Sequence, residues 1–182
     1  MYRYCYWLGW GIWLIRTIRE DLEVINIYKD QVERAKRLYD FEALNGSITK
    51  GKSNVYGALG EILVADHFFD VGVDFSSTKD YDMIIKGYKV DVKTKRTTVE
   101  PKEFYFCSIS NWNTKQECDF YFFVRVMEDF TKGFLLGYIR KKEFYEKAVF
   151  KKKGDEDTNG FLFKDNCYNV EISKLKKFTK IF

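Results

Sequence analysis

Hydrophobic positions follow two periods along this chain. Between 27 and 44, Val32, Ala35, Leu38 and Tyr39 recur at helical spacing, which predicts an amphipathic helix ended by Asn45-Gly46-Ser47. Between 54 and 69, Val55, Ala58, Leu59, Ile62, Leu63 and Ala65 build a broader apolar surface, with Ser53 or Asn54 placed to cap the helix. Gly57 and Gly60 interrupt that helix and cost roughly 1 kcal/mol each relative to Ala. What they offer in return is close approach to a sheet or to a phosphate. From residue 73 onward the period shortens and strands are expected at 73–76, 82–85, 88–96, 104–109, 120–127 and 134–139. The run Phe120-Tyr121-Phe122-Phe123-Val124 is continuously apolar, so its strand should be central and covered on both faces. A short helix at 141–150 follows, then a loop at 154–160 with edge strands at 161–163 and 169–172. The first twenty residues fit neither period well. Trp7 through Ile15 is apolar and aromatic but too short for a membrane span, which takes about 20 residues, and Arg16 to Asp21 offers no small-residue cleavage site. A helix packed on the domain or a dimer contact is the expectation there, ahead of a segment lying at a membrane surface.

Composition narrows the class. The chain has 182 residues, 46% apolar and 19% aromatic, with a single proline and no low-complexity stretch, so one soluble domain with a sizeable core is expected. Its excess of Lys, Ile, Asn, Phe and Tyr suggests an AT-rich genome. Net charge is +4, with basic clusters at Arg140-Lys141-Lys142, Lys151-Lys152-Lys153 and Lys174 to Lys177 that could follow a phosphate backbone or could serve solubility. Four cysteines without a C-x-x-C pair, and His67 as the only histidine, argue against a structural zinc site and exclude any mechanism built on two histidines. Ser-His-Asp hydrolysis would have to use His67. No P-loop and no dinucleotide-binding glycine fingerprint is present. The thiols are expected to be reduced, which fits a cytoplasmic protein.

Within this frame one stretch carries chemistry. Gly57-x-x-Gly60-Glu61 on a helix precedes Asp82-Met83-Ile84-Ile85 and then Val90-Asp91-Val92-Lys93. Carboxylates in apolar surroundings cost several kcal/mol unless something pairs with them. Lys86-Gly87 makes a two-residue hairpin turn, which would pair Ile85 with Tyr88, Met83 with Val90 and Asp82 with Asp91. Opposed residues have Cβ atoms about 4.5–5.5 Å apart, where two carboxylates repel unless a cation is shared. Lys93 and Lys95 project from the same strand face as Asp91. Oxygen ligands beside a lysine suit Mg²⁺ and phosphodiester chemistry. Asp80 is a rival ligand that lacks the apolar run behind it.

The ordered set Glu61, Asp82, Asp91-x-Lys93 resembles the PD-(D/E)XK nuclease superfamily, which includes restriction endonucleases, Holliday-junction resolvases and phage nucleases. The resemblance covers roughly residues 54–96, with Tyr81 where the family often has proline. It implies an α/β (α+β) fold: a mixed central β-sheet flanked by helices, with a restriction-endonuclease-like core. It implies a single nuclease domain over 1–182, with an N-terminal helical extension (1–50), a catalytic core (51–145) and C-terminal elements (146–182). It further implies a deoxyribonuclease in which Glu61, Asp82, Asp91 and Lys93 are catalytic. Asp82, Asp91, Glu61 and the Val92 carbonyl would hold Mg²⁺, with Mn²⁺ as a substitute. Asn54, Lys95 and Arg96 would touch DNA, and a homodimer or larger assembly would be needed to cut both strands. Products would carry 5′-phosphate and 3′-hydroxyl ends. The cytoplasm, or a host cytoplasm for a virus-encoded protein, would be the setting. The alternative is a non-catalytic nucleic-acid-binding or assembly module that keeps the fold.

Overall fold

The computed structural model describes residues 2–8, 12–18, 22–43, 54–76, 78–157, 160, 162–178 and 181, with backbone alone for 2–8, 12–18, 39–43 and 54. In chain order the strands and helices are β1 (Tyr2–Leu8), β2 (Ile12–Ile18), β3 (Glu23–Asn26), α1 (Lys29–Ala43), α2 (Asn54–His67), β4 (Val73–Phe75), β5 (Met83–Ile85), β6 (Tyr88–Thr97), β7 (Phe106–Ser110), β8 (Phe120–Met127), β9 (Lys132–Arg140), α3 (Lys141–Lys147), β10 (Val149–Lys151) and β11 (Cys167–Glu171). The main sheet runs β1-β2-β3-β9-β8-β6-β5-β4 and is mixed: β6 and β8 pair in parallel, and the other neighbours are antiparallel. Strands β10, β11 and β7 form a second, antiparallel sheet.

The apolar run at 120–127 explains the layering. Phe120, Phe122, Val124 and Val126 face a core shared with Leu59, Ile62 and Leu63 of α2 and with Val90 and Val92 of β6. Tyr121 and Phe123 face the opposite way, into a core with Ile109, Phe144, Ile139 and Val170. The strand is therefore covered on both faces, as expected, by α2 on one side and by α3 and the small sheet on the other. Each fully buried side chain of this size contributes about 1.5–3 kcal/mol relative to exposure. Helix α1 packs on α2 through Ala35, which is fully buried, and through Gln31 Nε2 and Arg34, which donate to Asp66 at 2.8 and 3.0 Å. Leu38, expected on the buried side, is 42% exposed.

The two glycines of α2 behave differently. A Cβ on Gly60 would lie 1.9 Å from Thr94 Oγ1, so the helix rests directly on β6 there. A Cβ on Gly57 would meet nothing within 4 Å. Close approach explains Gly60 alone. In the β5–β6 hairpin, Lys86 and Gly87 have φ of 48° and 81°, the double positive φ of a type I′ turn, and Ile85 pairs with Tyr88 and Met83 with Val90.

Three expectations are corrected. The N-terminal extension is not helical throughout: among its described residues β1, β2 and β3 precede α1, and β1 and β2 pair as a hairpin. Tyr, Trp and Ile at such density favour a pleated ribbon over a helix. The helix expected at 141–150 ends at Lys147, because Val149 and Phe150 pair with Asn169 and Tyr168. The segment at 169–172 is not an edge: β11 lies between β10 and β7. Of the other expected edge strand, Phe161 lies outside the described residues, while Leu162 bridges Glu156.

Candidate functional site

Strand alternation separates Asp91 from the helix-side core. Val90 and Val92 point toward α2, so Asp91, Lys93 and Lys95 share the other face of β6. Asp91 is 1% exposed. Its Oδ1 accepts a hydrogen bond from Gln116 Nε2 at 3.0 Å. Its Oδ2 forms an ion pair with Lys93 Nζ at 2.5 Å but accepts no well-directed hydrogen bond. Burial pushes the carboxyl above its ordinary range, and the Lys93 charge and the Gln116 bond pull it back only in part.

Lys93 keeps 20% of its side chain exposed and donates to Gln116 Oε1 at 3.2 Å. Gln116 also donates to the Lys79 carbonyl at 2.9 Å, while Lys141 donates to the Gln116 carbonyl. One amide side chain thus ties the carboxylate, the ammonium and the loop before β5 together. The sequence reading did not single out Gln116. Its signal was positional: β8 runs parallel to β6, so the residues leading into β8 arrive beside the start of β6.

Asp82 departs from the expected pairing. The recorded ladder ends at Met83↔Val90. The Asp82 amide donates to the Val90 carbonyl at 2.9 Å, one residue short of the continued register, and its own carbonyl accepts from Ser76 N at 2.8 Å. Its carboxylate then takes the place of a carbonyl: Oδ2 accepts from Val92 N at 2.6 Å. Asp82 therefore sits against the backbone next to Asp91 rather than directly opposing its side chain. Val92 itself packs in the helix-side core.

Glu61 is half-buried on α2, one residue past the Gly60–Thr94 contact. Among the described residues no three Asp, Glu, His or Cys side chains converge as a metal cluster. The structure brings together Asp91, Lys93, Gln116 and, through the Val92 amide, Asp82. Asp80 lies in the turn before β5, where its amide donates to Thr78 Oγ1 at 3.4 Å. Asn54 opens α2, and its side chain lies outside the described set. Arg96 pairs with Glu128 at 3.0 Å and lies over the Tyr56 ring. Partial burial and then Arg125 hold the Lys95 ammonium below its ordinary range.

Among the described residues the remaining nucleophile candidates are packed in the core. The His67 side chain is 6% exposed, with Nδ1 3.3 Å from Glu23 Oε1 and its ring against Phe68 and Phe178. Cys107, Cys118 and Cys167 are free and buried. Burial pushes the Cys107 and Cys118 thiols up to about 12, Cys118 being raised further by the Asp91 charge, so neither supplies a thiolate near neutral pH. A scan against protein-family models matched none of them, and a search of curated proteins returned no match.

Proposed function

We propose that the protein is a Mg²⁺-dependent DNA nuclease of the PD-(D/E)XK kind, acting as an endonuclease from a homodimer or larger assembly. The observation that carries this reading is the Asp91–Lys93 pair: a buried carboxylate with one oxygen lacking a directed hydrogen bond, touching an ammonium two residues along the same strand. Such a pair is costly as a structural element and useful as a ligand beside a cation.

The donor set fits a hard divalent ion. Asp91 and Asp82, with the Val92 carbonyl and Glu61, would hold Mg²⁺ or Mn²⁺. Mg²⁺ is commonly bound through one or two carboxylates, completing its shell with water and substrate phosphate, so a third converging carboxylate is not required. A bound ion would supply Lewis-acid polarisation of the phosphate and a more acidic water. The protein's own groups do the rest. Lys93, oriented by Asp91 and Gln116, presents positive charge to an attacking water and to the charge that grows on the phosphate oxygens. Gln116 keeps Lys93 from swinging away. Burial of Asp91 excludes competing water from the carboxylate. Cleavage in this manner leaves 5′-phosphate and 3′-hydroxyl ends.

The test is incubation with supercoiled, linear, branched and single-stranded DNA in Mg²⁺ and in EDTA, alongside calorimetric titration of Mn²⁺ into wild type and Asp82→Ala. Metal-dependent cleavage and weaker binding by the variant are expected. Equal binding would remove Asp82 from the site. DNA binding without cleavage in any metal would favour the non-catalytic module.

A further inference from the structure

Between the main sheet and the three-stranded sheet lies a cleft with two adjoining lobes. One, of about 290 Å³, opens beside Lys93 and Thr94. The other, of about 430 Å³, reaches Tyr105 and Glu171. Arg125, Lys95, Phe106, Ser108 and Phe163 line both.

Arg125 is the anomaly. It is 6% exposed, donates to the Phe106 carbonyl at 3.1 Å and lies 5.1 Å from the centre of the Tyr105 ring. No carboxylate pairs with it among the described residues. A guanidinium has five N–H donors, and a buried charge is normally paired. Desolvation accordingly depresses its hold on the proton. In the parallel ladder Arg125 is the partner of Lys95, so the two project from the same face. Lys95 in turn continues the row of Asp91 and Lys93 along β6. Side by side, the two cations offer positive charge to an anion from adjacent strands, with Asp157 also near Lys95. Lys151 and Lys164 line the far walls; with Asp157, Asp165 and Glu171 as the acids, the cleft stays net cationic. Phe104 and Phe106 supply rings on which a base can stack.

We propose that this cleft binds the terminal phosphate of a nucleic-acid strand, with the Arg125 fork on the phosphate oxygens and Lys95 beside it. The proposal rests on the nuclease reading for its ligand class. It names a strand end because Arg125 is nine-tenths buried: a duplex backbone stays on the surface, whereas a free end threads between two sheets. A terminal monoester, close to doubly charged at neutral pH, also matches two cations better than an internal diester does.

The test uses fluorescence anisotropy in EDTA, where no turnover occurs. Three single-stranded oligonucleotides of one sequence are compared, carrying a 5′-phosphate, a 3′-phosphate or hydroxyls at both ends, on wild type, Arg125→Lys and Lys95→Gln. One phosphorylated end should bind wild type about tenfold or more tightly than the hydroxyl form, the scale of one charge-assisted hydrogen bond, and the arm that does so identifies the end. Each variant should cut that preference to about threefold or less, whatever its affinity for the hydroxyl oligonucleotide. Equal affinity of wild type for all three, or an intact preference in both variants, overturns the proposal. If Arg125→Lys fails to fold, the exposed Lys95 decides alone. Preference without cleavage in Mg²⁺ would reject the nuclease reading and keep this site; cleavage without preference would do the reverse.

Discussion

Asp91 is the residue on which the site turns, because its burial makes it both useful and costly. Its carboxyl titrates above the unfolded value of 3.8. The folded protein therefore keeps a proton that the unfolded chain has already lost, and stability falls as pH rises from 3.8 through the raised value. Asp91→Asn removes the charge and keeps an oxygen for Gln116. In EDTA near neutral pH the variant should melt above wild type, and the gap should close as the pH drops toward about 4. Parallel melting curves across that range would show that Asp91 carries no such cost. Lys93 obeys the opposite logic. Lys93→Ala should lower the cleavage rate on the order of 10²–10³, while costing about one unit of salt slope in DNA binding. The fold should survive, since Asp91 can take up a proton instead of bearing an unpaired charge. A variant that cleaves at the wild-type rate would move the chemistry elsewhere.

At the scale of elements, α2 and β6 position the site, and two glycines separate packing from propensity. Gly60→Ala drives a methyl into Thr94 Oγ1 and should cost about 1–3 kcal/mol. Gly57→Ala meets open space in the same helix and should gain up to about 1 kcal/mol. Thermal melts of both variants check this; at this chain length each kcal/mol corresponds to about 2–4 °C. Equal shifts would mean that the helix does not rest on β6 at Thr94. The β5–β6 hairpin, the doubly covered β8 and the α2 helix could be read from the sequence, because each is written in local periodicity and turn chemistry. Gln116 and Arg125 could not. Both are polar residues whose meaning depends on the parallel β6–β8 pairing and on a second sheet, and nothing near them in sequence announces either. Asp82 lies between these cases: its neighbourhood was legible, but the one-residue slip that hands Val92 N to its carboxylate has no local sequence signal.

At the scale of the molecule, the β1–β2 hairpin covers the edge of β3, which would otherwise present unpaired backbone. Removing residues 1–19 should shift the protein to larger assemblies and lower its melting temperature. Unchanged mass by light scattering together with an unchanged melt would show that the hairpin protects nothing. Among the described residues no helix is long and apolar enough to cross a membrane.

The small sheet has a consequence in time as well as in space. Strand β7 lies in the crossover between β6 and β8, yet its strand partner β11 is made some sixty residues later, after the main sheet has ended at Arg140. During vectorial synthesis the Asp91–Lys93 pair and Gln116 can assemble while the far wall of the Arg125 cleft is still missing. On the proposed nuclease reading, a nascent chain would hold the beginnings of its chemistry before it could grip a strand end, so the order in which the polypeptide emerges would delay action on nucleic acid.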